Sequence, residues 1–399
     1  MMKYKIADRC KVTKIHDVSV IGCPECGAMY GLTSDGMKLI MNINEGKDLE
    51  IDKLNCEQKM LFFELESEHF FDENWKLTSK MAYFHVTNQC NMNCVGCYSK
   101  NDHRNESEGL TTEQCIEVID NMDRADVKRI IISGGEPTLR SDLIDILEYI
   151  NKKGIKSSVI TNGTASLEIY KSILELTDNL AFSFDGVVKE HSIIRREVFE
   201  KEFGTVETLR KTYNNISFIF TIHHKNMRYR KEMEEYARKV GVMYNYSAFT
   251  SNDKDVSEYK LDEQDYKDIF NEHMPEFVSD SGINTALGFR NGCGAGKKII
   301  SVSSNGDIYP CHMFYGMDYK MGNALKDEIA VVTLKYDGPY PAAKREKCSK
   351  CEYVNMCAGG CEYQGYLADL KNENYLCELY SNYYRKAFNN LLEKIKEGI

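Results

Sequence analysis

The chain has 399 residues, a formal charge of −10, 28% charged and 42% hydrophobic residues, and 15 cysteines. That composition excludes collagen-like, low-complexity and mostly disordered chains, and the acidic balance makes nucleic acid a poor partner, because phosphate contact needs a basic face. No apolar run reaches the roughly 18 residues of a membrane helix, so no membrane partner is expected. MMKYKIADRCK has no apolar signal core, so a cytoplasmic location is the expectation, and there so many thiols point to metal ligation or redox chemistry.

The first 75 residues predict short strands in YKIADRCKVTKI, VSVIG and AMYGLT, a helix from Ser34-Asp35-Gly36, and a pair of strands around KMLFFELESEHFF. This is a small α+β, winged-helix-like pattern. Cys23-Pro-Glu-Cys26-Gly27 has the form of a zinc knuckle that Cys10 and Cys56 would complete. Free thiols are the alternative.

From residue 81 the pattern changes. Strands are predicted at MAYFHVT (81–87), RIIISGG (129–135), SSVITNG (157–163), LAFSFDG (180–186), SFIFTIH (217–223) and MYNYSAF (243–249). Helical stretches separate them: TTEQCIEVIDNMDRA, SDLIDILEYINKKG, SLEIYKSILEL, GTVETLRKTY and KEMEEYARKVG. Six strands alternating with helices predict a parallel βα sheet with function at the strand C-terminal ends. Cys115 sits in a helical stretch and reads as a small core hydrophobe. His223, His224 and Asn226 after the fifth strand, with Tyr244 and Tyr246 on the sixth, are either channel-lining or merely structural. The polar stretch SNDKDVSEYKLDEQDYKD (251–268) reads as a linker, and SNYYRKAFNNLLEKIKEGI as a terminal amphipathic helix.

Cys90-Asn-Met-Asn-Cys94-Val-Gly-Cys97-Tyr98 directly follows the first strand of this series. Three thiolates on one short loop can hold three irons of a [4Fe–4S] cube and leave the fourth open. A zinc site would usually want four protein ligands. Gly134-Gly135-Glu136-Pro137 ends the second strand, Thr161-Asn162-Gly163 the third, and Ser183 and Asp185 the fourth, with His191 and Arg195 beyond.

These motifs, at these strands, resemble the radical S-adenosylmethionine (radical SAM) superfamily. The resemblance implies a partial (β/α)6, TIM-like barrel. It implies that Cys90, Cys94 and Cys97 hold the SAM-binding cluster and that Gly134, Gly135 and Glu136 receive the methionine amino group. Tyr98 would lie near the adenine. Ser183 and Arg195 would contact the ribose or carboxylate, with Arg196 a competitor for the arginine role and Asn162 a further cofactor contact. The implied chemistry is reductive cleavage of SAM to a 5′-deoxyadenosyl radical that abstracts a substrate hydrogen.

The last quarter carries Cys293, Cys311, Cys348, Cys351, Cys357, Cys361 and Cys377. Their spacing is similar to the seven-cysteine SPASM domain, which binds two auxiliary clusters; a zinc ribbon is the alternative. By resemblance, Cys348, Cys351, Cys357 and Cys377 hold the outer cluster, and Cys293, Cys311 and Cys361 the inner one, for three [4Fe–4S] clusters in all. The preceding SGINTALGFRNG contains no cysteine, which implies one inner iron without a cysteine ligand. His312, directly after Cys311, stands where sulfatase-maturing relatives have an aspartate base, and is a catalytic candidate.

The expected organisation is a leader-recognition domain over 1–77, resembling the carrier protein of pyrroloquinoline quinone biosynthesis, a barrel over 78–270, a SPASM domain over 271–382 and a C-terminal helix over 383–399. The resemblance implies a maturase of a ribosomally made, cysteine-containing precursor peptide with a leader, forming a thioether crosslink. Carbon–carbon crosslinking, epimerisation and sulfatase maturation are the alternatives. A flavodoxin or ferredoxin would supply electrons.

Overall fold

The computed structural model describes residues 3–75, 80–100, 104–106, 109–195, 200–251, 254–271, 288–316, 318–336, 338, 345–363 and 374–397. Three strands, β1 (Lys11–Ile15), β2 (Val18–Gly22) and β3 (Met29–Leu32), form an antiparallel sheet in the order β1-β2-β3. Helix α1 (Ser34–Asn44) follows, capped by the Thr33 hydroxyl, which accepts from Gly36 N at 3.1 Å. The predicted strand pair around KMLFFELESEHFF is instead a second helix, α2 (Cys56–Ser67). A capping box decides it: Gln58 N donates to Asn55 Oδ1 at 2.9 Å and Asn55 N to Gln58 Oε1 at 3.4 Å. Phe62 and Leu65 then fall on one face at helical spacing and close a small core with Ile21, Leu39, Ile43 and Phe70.

Six parallel strands follow: β4 (Lys80–Thr87), β5 (Val127–Gly134), β6 (Lys156–Thr161), β7 (Asn179–Phe184), β8 (Ile216–Ile222) and β9 (Met243–Ala248). The helices between them are α3 (Thr112–Arg124), α4 (Leu143–Lys152), α5 (Leu167–Leu176), α6 (Glu200–Arg210) and α7 (Arg230–Val240). Alternation along the strands sorts the side chains. Phe84, Ile132, Phe182, Phe218 and Phe220 join the buried apolar core, while Tyr83, Ser183, Thr221 and Ser247 line a cavity on the opposite face. Cys115 is fully buried in that core.

The sheet does not stop at six strands. β10 (Ile299–Val302) pairs parallel with β4, and β11 (Asp307–Tyr309) and β12 (Gly322–Asn323) continue it antiparallel, so nine strands run β12-β11-β10-β4-β5-β6-β7-β8-β9. This brings Cys311 and His312, two and three residues beyond β11, to the edge of the barrel.

The stretch 251–268 is more than a linker. It holds helix α8 (Glu263–Asn271), because Leu261, Tyr266 and Ile269 bury apolar side chains among the charges. Asp262 and Asp265 cap α8 reciprocally, each backbone N–H donating to the other's carboxylate at 2.9 Å. The last helix spans Asn374–Glu397, beginning before the predicted terminal segment and carrying Cys377. Tyr380, Tyr384 and Phe388 bury one face of it. The N-terminal sheet docks on the C-terminal part: His16 Nε2 pairs with Tyr353 Oη at 2.7 Å, and Phe289 N donates to Gly27 O at 3.0 Å.

Candidate active site: a cavity between the cysteine loop and the C-terminal cysteine array

The loop after β4 is held by its neighbours in close backbone contact. Gly135 N donates to Thr87 O and Glu136 N to Gln89 O, both at 2.8 Å. Gly134 has φ +144°, and a Cβ on it would stand 2.3 Å from Thr87 O. A Cβ on Gly135 would stand 2.0 Å from Gln89 O. Only glycine lets β5 approach the backbone that leads into Cys90.

Glu136 is 1% exposed. Its Oε1 accepts from Thr138 N, Thr138 Oγ1 and Thr161 Oγ1 at 3.2, 2.6 and 2.8 Å, and its Oε2 from Asn162 N at 2.7 Å. The carboxylate thus ties the β5 and β6 ends together, and Oε2 keeps acceptor capacity for one more donor. Burial pushes its pKa up. Asn162 donates to Asn91 Oδ1 at 2.9 Å and approaches Cys90 Sγ at 4.0 Å.

The three thiols differ in electrostatic setting. Burial pushes Cys94 up to about 11 and raises Cys90. Burial also opposes the Cys97 thiolate, but Arg104 and the Ser99 hydroxyl outweigh it and hold that thiol below its ordinary value. Arg104 Nη2 lies 3.8 Å from Cys97 Sγ and 3.4 Å from Ser99 Oγ. The sequence reading missed Arg104, since no motif spacing marks it.

Asp185, fully buried, fixes the segment carrying Arg195. It accepts from Ser192 Oγ and Ile194 N at 2.7 Å each, with Arg195 Nε at 3.9 Å. Val95 N donates to Ile194 O at 3.0 Å, joining this segment to the cysteine loop. Arg196 lies outside the described residues.

A cavity of about 190 Å³ collects these parts. Cys94, Cys97, Tyr98, Ser183 and Arg195 line it from the barrel, and His312 and Met313 from the C-terminal part. His312 stacks on Tyr83 with ring centroids 4.1 Å apart and meets Tyr98 edge-on at 5.3 Å. The Tyr98 hydroxyl pairs with Ser133 Oγ at 3.2 Å. Tyr83, Thr221, Ser247 and Phe249 also line the cavity and were not singled out from sequence; strand alternation was the available signal.

Other candidates stand elsewhere. His191 stacks on Tyr229 and pairs with Glu232 at 3.0 Å. Asn226 serves the backbone, donating to Asp185 O and Thr221 O. His224 contacts Asp265 at 2.8 Å beside the α8 cap. His223 is buried against Phe249 and Tyr259. Tyr246 donates to Glu234 and packs, with Tyr244, in the core beneath α7, so neither is channel-lining.

The C-terminal thiols gather in two sets. Cys348 feels Cys377 and Cys351, and Cys357 feels Cys377 and Cys348. Cys311 and Cys361 pack together against Phe314 and Tyr363, beside Tyr98. Gly296 N donates to Pro310 O at 2.7 Å, drawing the segment after Cys293 onto Cys311.

Sulfur spacing tests the metal. Around one tetrahedral zinc, thiolates at about 2.3 Å stand about 3.8 Å apart. Among the described residues, no three cysteine sulfurs lie mutually within 4.8 Å; the group that does so is His224, Asp262 and Asp265. Soft thiolate donors on short loops are the donor chemistry that iron–sulfur clusters take. Three of the four N-terminal zinc-ligand candidates come together in the structure. There Cys10, Cys23 and Cys26 interact, and the hydrogen bond from Cys10 holds the Cys23 thiol below its ordinary value. Cys56 stands exposed at the start of α2.

The radical SAM superfamily pattern matches residues 84–237, and the SPASM iron–sulfur cluster-binding domain pattern residues 293–358. A mycofactocin maturase of Mycobacterium tuberculosis is 24% identical over 299 residues, 69% of this chain and 76% of that one. A cysteine-type anaerobic sulfatase-maturating enzyme of Clostridium perfringens is 24% identical over 361 residues, 76% of this chain and 94% of that one. Among solved structures, anSMEcpe with bound AdoMet and Cp18Cys peptide superposes with TM-score 0.60 at 18% identity, covering 80% of this chain and 99% of that one. Streptococcus suis SuiB superposes with TM-score 0.58 at 15% identity, covering 93% and 98%. No described helix is long and apolar enough to cross a membrane. From the motifs, the fold and both matched regions, the chain belongs to the radical SAM superfamily and carries a SPASM iron–sulfur cluster-binding domain.

Proposed function

We propose that this enzyme matures a ribosomally made precursor peptide by joining a cysteine sulfur to a carbon of another residue. One observation carries the reading: a single cavity is lined by Cys94, Cys97, Ser183 and Arg195 on one side and by His312, next to Cys311, on the other. A peptide seated there lies between the SAM side and the inner thiol set. That set numbers three cysteines, Cys293, Cys311 and Cys361, one fewer than a closed cluster takes, and a substrate thiolate suits the remaining position.

Cys90, Cys94 and Cys97 would hold the SAM-binding cluster, and Cys348, Cys351, Cys357 and Cys377 the outer auxiliary one. When bound, the clusters and SAM supply one-electron chemistry and a hydrogen-abstracting radical, with electrons from a flavodoxin or ferredoxin of an anoxic cytoplasm. The chain's own residues bind and orient. Glu136 Oε2 and the Gly134–Gly135 backbone receive the SAM ammonium, Ser183 and Arg195 its polar groups, and Tyr98, Tyr83 and Phe249 exclude water. The N-terminal sheet would take the leader by strand addition at β1 or β3, its two edges. Relatives named as a mycofactocin maturase and a sulfatase-maturating enzyme, and the solved structure of SuiB bound to precursor peptide SuiA, support the substrate class.

The test is anaerobic reaction of the reconstituted enzyme with SAM, a reductant and a cysteine-bearing precursor peptide encoded beside it. A loss of two hydrogens per crosslink, with thiols resistant to alkylation, is expected. An unchanged mass with an inverted stereocentre would establish epimerisation instead, and formylglycine would establish the sulfatase-maturing alternative.

A further inference from the structure

An acidic side chain stands at the inner thiol set. Tyr336 lies over Gly296, where a Cβ would meet its ring at 2.1 Å. This places the phenol beside the Gly296–Pro310 contact that joins Cys293 to Cys311, and it feels Glu362, Cys293 and Cys311 together. Its hydroxyl donates to Glu362 Oε2 at 3.4 Å. Glu362 directly follows Cys361, and its backbone N–H donates to Cys293 Sγ. Its carboxylate exerts the largest charge effect on that thiol. It also lines a cavity with Gly292, Gly294, Tyr336, Gly338, Lys297 and Lys298. Gly338 leaves it room, since a Cβ there would stand 3.0 Å from Oε2.

A carboxylate thus stands beside Cys293, a thiol that becomes an anion when it ligates metal, with Arg345 and Lys297 as its cationic neighbours. Iron accepts oxygen as well as sulfur donors.

We propose that Glu362 is the fourth protein ligand of the inner auxiliary cluster, completing Cys293, Cys311 and Cys361 when no substrate thiol is present. The inference rests on the proposed reading only in assigning those three cysteines to one cluster.

The test uses full-length protein with Cys90, Cys94 and Cys97 replaced by alanine, so that auxiliary clusters alone assemble, reconstituted with Mössbauer-active iron. An iron subsite of higher isomer shift, marking an oxygen ligand, is expected. Glu362→Cys should keep the iron content and convert that subsite to an all-thiolate spectrum. Glu362→Gln, which retains the Tyr336 partner, should shift the subsite or lose iron from this cluster alone. Identical spectra and iron content across the three proteins overturn the proposal. Iron for a single auxiliary cluster in the Glu362-containing protein overturns the three-cysteine assignment itself, whereas failure of thioether formation leaves these spectra unchanged.

Discussion

Replacing Gly135 by alanine should disable the cysteine loop from a distance. The added Cβ would stand 2.0 Å from Gln89 O, 2.5 Å from Gln89 C and 2.9 Å from Asn88 O. Ordinary C···O contacts begin at about 3.3 Å, so the two backbones must part by about 1 Å, and no side-chain rotation can relieve a backbone clash. The hydrogen bonds Gly135 N to Thr87 O and Glu136 N to Gln89 O span this gap. Losing both costs about 2 kcal/mol, and overpacking adds about 1–3 kcal/mol, for a total near 3–5 kcal/mol. Because Gln89 adjoins Cys90, the displacement passes into the cysteine loop, where about 1 Å of misplacement can cost about a hundredfold in rate. Denaturant unfolding, iron content and SAM affinity measure the effect. Gly204→Ala is the control: it lies in α6 with open space around it and should gain up to about 1 kcal/mol. A Gly135→Ala protein with unchanged stability and SAM affinity would refute the argument.

Asp185→Asn should fold but bind SAM about ten- to a hundredfold more weakly, since its charge holds the 192–195 segment and faces Arg195; unchanged affinity would show that Arg195 is positioned otherwise. His85 is fully buried with neither ring nitrogen hydrogen-bonded, and burial holds it down to about 3. Between about pH 6.5 and that value the unfolded chain binds a proton that the folded chain excludes, so stability rises with pH by up to about 1.4 kcal/mol per unit. His85→Leu should flatten this acid limb in denaturant titrations, and an unchanged slope would assign it to other groups.

Much was legible because it is local. The six barrel strands are apolar runs between turn residues, and all six lie within two residues of their predicted starts and ends. The Cys90–Cys97 and C-terminal spacings are chain-local too. Errors came where apolar content outvoted a cap, as at Asn55–Gln58, or where charge hid a buried stripe, as at Leu261–Ile269. Tyr244 and Tyr246 were ambiguous because period two tells which residues share a face, not which face looks inward.

By itself the sequence determined the βα order and the cysteine groups, since each depends on residues close along the chain. The tertiary structure alone decided what long-range pairing controls. The β10–β4 ladder continues the barrel sheet and carries His312 to the cavity wall. Asp185 orders the Arg195 segment by contacts that no spacing encodes. Glu362, anonymous beside Cys361 in the chain, meets Cys293 because long-range contacts, Arg290 N to Asn355 O at 2.6 Å among them, fold two distant segments together.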